Sequence, residues 1–204
     1  MNFGITISYI IAGFLILIIL SVNNSVNSSN QELTISLVKS THSKVINEVL
    51  ESDVLKIGYK QNGFIAPSDI FISATNRKIS YRSDLDNDGN IDIITWEFKP
   101  DMTPEHANNP NVHTLTRTVK DEVTGTTDVT DIQMGVADFK IFYYDEYGSA
   151  TPMSHPVNGR DVRQIEFRIE LQSDFQLNSR SSGGGDYMVT KWQKRFSPPN
   201  LRSK

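Results

Sequence analysis

Residues 5–22, ITISYIIAGFLILIILSV, constrain this chain more than any other stretch, because they form an apolar run without one charged side chain. The charge-free region extends from Met1 to Gln31, and Glu32 is the first charged residue. As a helix the run rises roughly 27 Å, close to the roughly 30 Å of a bilayer's hydrocarbon core. A helix apolar on every side has no wet face and must be covered. A cleaved secretory signal would have a basic n-region, a shorter apolar run and a small-x-small cleavage site. The stretch lacks these marks and predicts a retained membrane helix. Lysine and arginine are too sparse beside it to set its orientation.

The helical pattern runs on. No glycine or proline occurs between Phe14 and Ile57, and Gly58 then offers a C-terminal stop. Leu33, Leu37, Val45 and Val49, followed by Ile46, Leu50, Val54 and Ile57, recur at spacings near 3.6 and predict one amphipathic stripe. The weak segment is SVNNSVNSSNQ, residues 21–31, where Asn and Ser compete for backbone hydrogen bonds. A frayed or hinged section is expected there. The chain thus divides into a transmembrane helix over 1–24, an amphipathic continuation over 25–58 and a β domain over 59–204.

After Gly58 the period changes from 3.6 to 2. Strands are expected at 70–74, 78–82, 91–98, 112–119, 136–148, 162–171 and 187–196. The clearest alternation sets Ile165, Phe167, Ile169 and Leu171 against Glu166, Arg168, Glu170 and Gln172. Short polar connections favour antiparallel pairing. Phe139, Ile141 and Tyr143 alternate with Phe142 and Tyr144, so this strand is expected at the centre of a sheet, helix on one side and partner on the other. SRSSGGGD, residues 179–186, is expected to be a flexible loop. The predicted fold class is α+β, a long N-terminal helix packed on an antiparallel β-sheet.

Within the β domain, DLDNDGNID places Asp84, Asp86 and Asp88 at alternate positions before Gly89, with Asn90 and Asp92 following. Alternate oxygens on a turning loop suit calcium, with Asn90 contributing its backbone carbonyl. Thr95 stands where an EF-hand would close with glutamate, and no helix flanks the loop, so it is not an EF-hand. Asp-Gly and Asn between strands are also ordinary hairpin chemistry. A calcium loop and a plain turn both remain open at this point, and calcium is the one cofactor expected.

The formal net charge is −4, without a basic block, so nucleic acid is not an expected partner. Absence of cysteine excludes disulfides and thiolate chemistry. His42, His106, His113 and His155 are scattered without metal-ligand spacing. Neither GxSxG nor a phosphate loop occurs, and the glycines at 183–185 lie between strands rather than before a helix. Glu166, Arg168 and Glu170 read as a solvated strand face with cross-strand ion pairs. A non-catalytic protein is expected.

In order, the chain shows an uncharged helix, the Asp-Asn-Asp-Gly loop, IDIITWEF, LTRTV, GVADFKIFYYDEYGS, VRQIEFRIEL and KRFSPPNL. This order resembles the minor pilins and pseudopilins of type IV pili and type II secretion systems, along nearly the whole chain. The resemblance implies a structural subunit in the inner membrane, single-pass, with its C-terminal domain periplasmic or extracellular. Its implied partners are other pilin-like subunits, their assembly machinery and the membrane. It also implies processing between Gly4 and Ile5. The family usually has a basic leader, a phenylalanine after the cut and a glutamate five residues past the glycine; here the leader is MNFG, the next residue is Ile5, and Tyr9 replaces the glutamate. Those departures keep a second reading open, a membrane-tethered β-domain binding module that never enters a filament.

Overall fold

The structure is a computed structural model that describes residues 3–155, 157–176 and 186–201. Helix α1 (Phe3–Leu55) is one continuous helix of 53 residues, roughly 80 Å long. The expected hinge over 21–31 does not form. Ser25 Oγ donates to the Ser21 carbonyl at 2.9 Å, Thr34 Oγ1 to the Asn30 carbonyl at 2.9 Å, and Thr41 Oγ1 to the Leu37 carbonyl at 3.0 Å. These hydroxyls bond back one turn, so their local hydrogen bonds are made within the helical conformation rather than outside it.

The amphipathic stripe needs correction. Ile46, Leu50 and Val54 are buried, as are Lys39 and Asp53. Leu33, Leu37, Val45 and Val49 are exposed. At 100° per residue, Leu37 lies roughly 160° around the helix from the buried face. Two faces, not one, therefore carry apolar side chains. Throughout residues 5–22 the helix is exposed, with nothing among the described residues burying it, and it is long and apolar enough to cross a membrane.

The β domain contains two antiparallel sheets rather than one. Sheet A orders β1 (Phe71–Ala74), β2 (Lys78–Ser83), β3 (Asp92–Lys99), β4 (Thr114–Asp121) and β5 (Thr127–Ile132) as a simple meander. Sheet B orders β6 (Val136–Tyr144), β7 (Gln164–Gln176) and β8 (Tyr187–Phe196). A short helix, α2 (Pro67–Ile70), takes the first residue of the first expected strand. The loop expected over 179–186 lies outside the described residues, apart from Asp186.

The C-terminal third of α1 packs on β8 and β7, and both sheets share one core with it. Leu50, Val54 and Ile57 meet Ile79, Ile94 and Trp96 of sheet A and Ile141, Phe167 and Ile169 of sheet B. Each fully buried side chain of this kind contributes about 1.5–3 kcal/mol. Polar clamps fix the helix in rotation. Asp53 accepts from Trp96 Nε1 at 2.9 Å and from Arg117 Nε and Nη2 at 2.6 and 2.8 Å. Lys194 pairs with Glu51 at 2.7 Å. Higher up, Lys39 donates to the Met134 carbonyl at 3.3 Å. Gly135 makes room for it, since a Cβ there would lie 2.3 Å from Lys39 Nζ and from the Gln172 carbonyl.

β7, not β6, is the central strand of sheet B. The second apolar face of β6 is covered from within. Arg168 lies 4.3 Å above the Phe142 ring and Arg195 lies 3.6 Å above the Tyr144 ring. Both arginines also hold Glu166, with closest approaches of 2.6 and 2.9 Å, and Tyr144 Oη donates to it at 3.2 Å. Cross-strand pairing is present as expected, but Glu166 is buried rather than solvated. Burial works to raise its pKa, and hydrogen bonds from Arg168 and Arg195 overcome this and hold it below the ordinary glutamate range. A carboxylate with that many donors is a structural ion, poorly suited to proton transfer.

Candidate metal site

The aspartate loop closes the β2–β3 hairpin, whose last pair is Ser83 with Asp92. The chain turns through Asn87 at φ 66° and Gly89 at φ 89°, left-handed conformations that Asn and Gly adopt at least cost. Successive aspartates cap the turn. Asp86 Oδ1 accepts from the Asp88 amide at 3.2 Å, and Asp88 Oδ1 from the Asn90 amide at 2.7 Å. The result is convergence: one carboxylate oxygen from each of Asp84, Asp86 and Asp88 lies within 4.8 Å of the others.

The three aspartates differ in setting. Asp86 and Asp88 are exposed, whereas Asp84 is fully buried. Asp84 Oδ2 accepts from the amides of Gln61 and Gly89, both at 3.1 Å. Its Oδ1 is buried and has no hydrogen-bond donor among the described residues. A buried carboxylate oxygen left unpaired costs about 1–3 kcal/mol or more.

Asn90 and Asp92 are not part of the convergent group. The Asn90 side chain donates to Asp88 Oδ2 at 2.7 Å. Asp92 Oδ2 accepts from the Leu85 amide at 2.9 Å and so fastens the loop's entrance. Burial raises the Asp92 pKa against that hydrogen bond, and Asp86, Asp121 and Asp88 raise it further.

Asp121 is an acid that sequence reasoning passed over. It sits directly opposite Asp92 in the β3–β4 ladder, an unfavourable like-charge pair. Its own carboxylate is bound to Thr124 Oγ1 and to the amides of Val123 and Thr124, which together hold its pKa low. The signal was the turn sequence DEVTG at 121–125, whose first Asp folds back on amides two and three residues ahead.

Also unforeseen is where the loop rests. It docks on the residues that end α1. Ser83 Oγ donates to the Lys56 carbonyl at 2.7 Å, and the Asp84 amide to the Tyr59 carbonyl at 2.8 Å. The Gly58 amide donates to the Arg82 carbonyl at 3.0 Å, and Lys56 Nζ donates to the Leu85 carbonyl. Gly58 turns the chain there at φ +71°.

Elsewhere, Gly4 and Ile5 lie exposed in the first turns of α1. Among the described residues, no other group of three or more acids and histidines converges in this way. No protein-family model matches the chain, and no curated protein is significantly similar to it.

Proposed function

We propose that this protein is a structural, non-catalytic subunit of the minor pilin and pseudopilin type, anchored in the inner membrane by α1 with its β domain on the far side. The observation that carries this reading is the division of α1. Its C-terminal third is built into the β domain's core through Leu50, Asp53 and Val54, while residues 5–22 project free and apolar. A helix that is continuous across that division holds the β domain at a fixed distance from whatever buries the apolar half. Lipid buries it before assembly, and the helices of neighbouring pilin-like subunits bury it within a filament. Leu33 and Leu37 extend the same exposed apolar character toward the β domain. With Tyr9 where the family has glutamate, this subunit lacks the carboxylate that pairs with a neighbour's N-terminus, a loss that suits a tip position.

The intact mass of the protein extracted from its native membrane tests the pathway. The expected mass lacks Met1 to Gly4 and has one added N-terminal methyl group. Retention of the residues before Ile5 would point instead to the tethered binding module.

A further inference from the structure

We propose that Asp84, Asp86 and Asp88 bind a hard divalent cation, calcium foremost, and that the ion clamps the hairpin loop onto the end of α1. This goes beyond the assembly reading and holds whether or not the chain enters a filament. Three observations combine. First, the carboxylate oxygens converge within 4.8 Å. Oxygens sharing one calcium at about 2.4 Å can be at most about 4.8 Å apart, so one ion can reach all three, and calcium accepts several carboxylates in flexible geometry where magnesium tends to keep its waters. The all-oxygen donor set excludes metals that prefer nitrogen or sulfur.

Second, Asp84 is fully buried and its Oδ1 has no donor among the described residues. Hairpin chemistry alone does not account for that oxygen, because a plain turn would leave this carboxylate in water or fully hydrogen-bonded. A cation supplies the missing partner.

Third, Asp84 joins two parts of the chain. Its Oδ2 receives Gly89 of the loop and Gln61 from beyond α1, and its amide binds Tyr59. An ion that fixes this side chain therefore fixes both the loop and the segment from Lys56 to Gln61. Calcium occupancy would thus stiffen the joint between the anchoring helix and the β domain.

The test uses the full chain in detergent, stripped of metal and then titrated with calcium chloride, with hydrogen exchange and thermal melting as readouts. At calcium one hundred times Kd, the folded-to-unfolded ratio should rise roughly a hundredfold. Amide protection should rise together in residues 85–91 and 56–61. Asp88→Asn, at an exposed position where the amide oxygen can still accept from the Asn90 amide and so keep the turn's cap, should abolish both effects. Melting that ignores calcium would overturn the site. So would an equal response from Asp88→Asn, which would place the ion elsewhere. Protection confined to 85–91 would overturn the clamp.

Discussion

Asp53→Ala is expected to cost about 3–5 kcal/mol of folding stability, because it leaves a buried charge without its partner. The carboxylate is only 3% exposed and takes both Nε and Nη2 of Arg117, itself 17% exposed. It also takes the Trp96 indole N–H. With alanine in its place, the guanidinium and the indole are both stranded between α1 and sheet A. Asp53→Asn keeps an acceptor and should lose less. The double variant Asp53→Leu, Arg117→Met removes both charges and should recover most of the loss. Denaturant unfolding of the full chain in detergent, followed by tryptophan fluorescence, measures all three. A loss below about 1 kcal/mol for Asp53→Ala would mean that apolar contacts alone seat the helix. Such a result would undercut the fixed joint on which the assembly reading depends.

The second large effect concerns the free half of α1. Leu15→Arg is expected to weaken membrane integration by about 3 kcal/mol, roughly a hundredfold. Leu15 is exposed and lies near the middle of the apolar run. No acid is available within it to neutralise an arginine. Resistance of the membrane-bound protein to alkaline extraction reports the change. If Leu15→Arg stayed as firmly integrated as the parent chain, residues 5–22 would not be what holds the protein in the membrane. Stability of the β domain should be untouched, since no described residue of that domain buries this stretch.

How much of this was legible in the sequence depended on which contacts were local. The alternation of Ile165, Phe167, Ile169 and Leu171 marked β7, because these four are buried while Arg168, Glu170 and Gln172 between them keep access to solvent; Glu166 alone breaks that rhythm, buried by its arginines. β5 was missed for the opposite reason. In TDVTDI the first five residues are exposed, so an edge strand bonded only to β4 leaves no burial rhythm to read. The apolar stripe of α1 was half right. Leu33 and Leu37 fit the period, but the β domain begins to cover the helix only lower down and on another face. The Asn- and Ser-rich segment 21–31 read as a weak point, yet Ser25 bonds back to the Ser21 carbonyl one turn earlier and the helix runs through unbroken.

The same distinction governs the candidate site. The spacing of Asp84, Asp86 and Asp88 placed them in one loop, and their convergence follows from that loop's turns. Nothing local could show that Asp84 would be buried while its neighbours stay exposed. Its burial comes from Tyr59 and Gln61, residues more than 20 positions earlier in the chain. Nor could composition show that Asp92 would serve the Leu85 amide or face Asp121 across the ladder.

The most direct test of assembly through α1 uses the absence of cysteine from the chain. Leu37→Cys places a single thiol on the exposed apolar face, where the native residue is 70% exposed, and Val123→Cys places one at the equally exposed β4–β5 turn. Each is labelled with a thiol-linked photo-crosslinker in native membranes, and the adducts are identified by mass spectrometry. Side-by-side assembly predicts that position 37 captures the N-terminal helix of another pilin-like subunit and that position 123 does not. If position 37 gave no protein adduct, or only the same adducts as position 123, the exposed face of α1 would not be an assembly surface, and the proposal of a filament subunit would be contradicted.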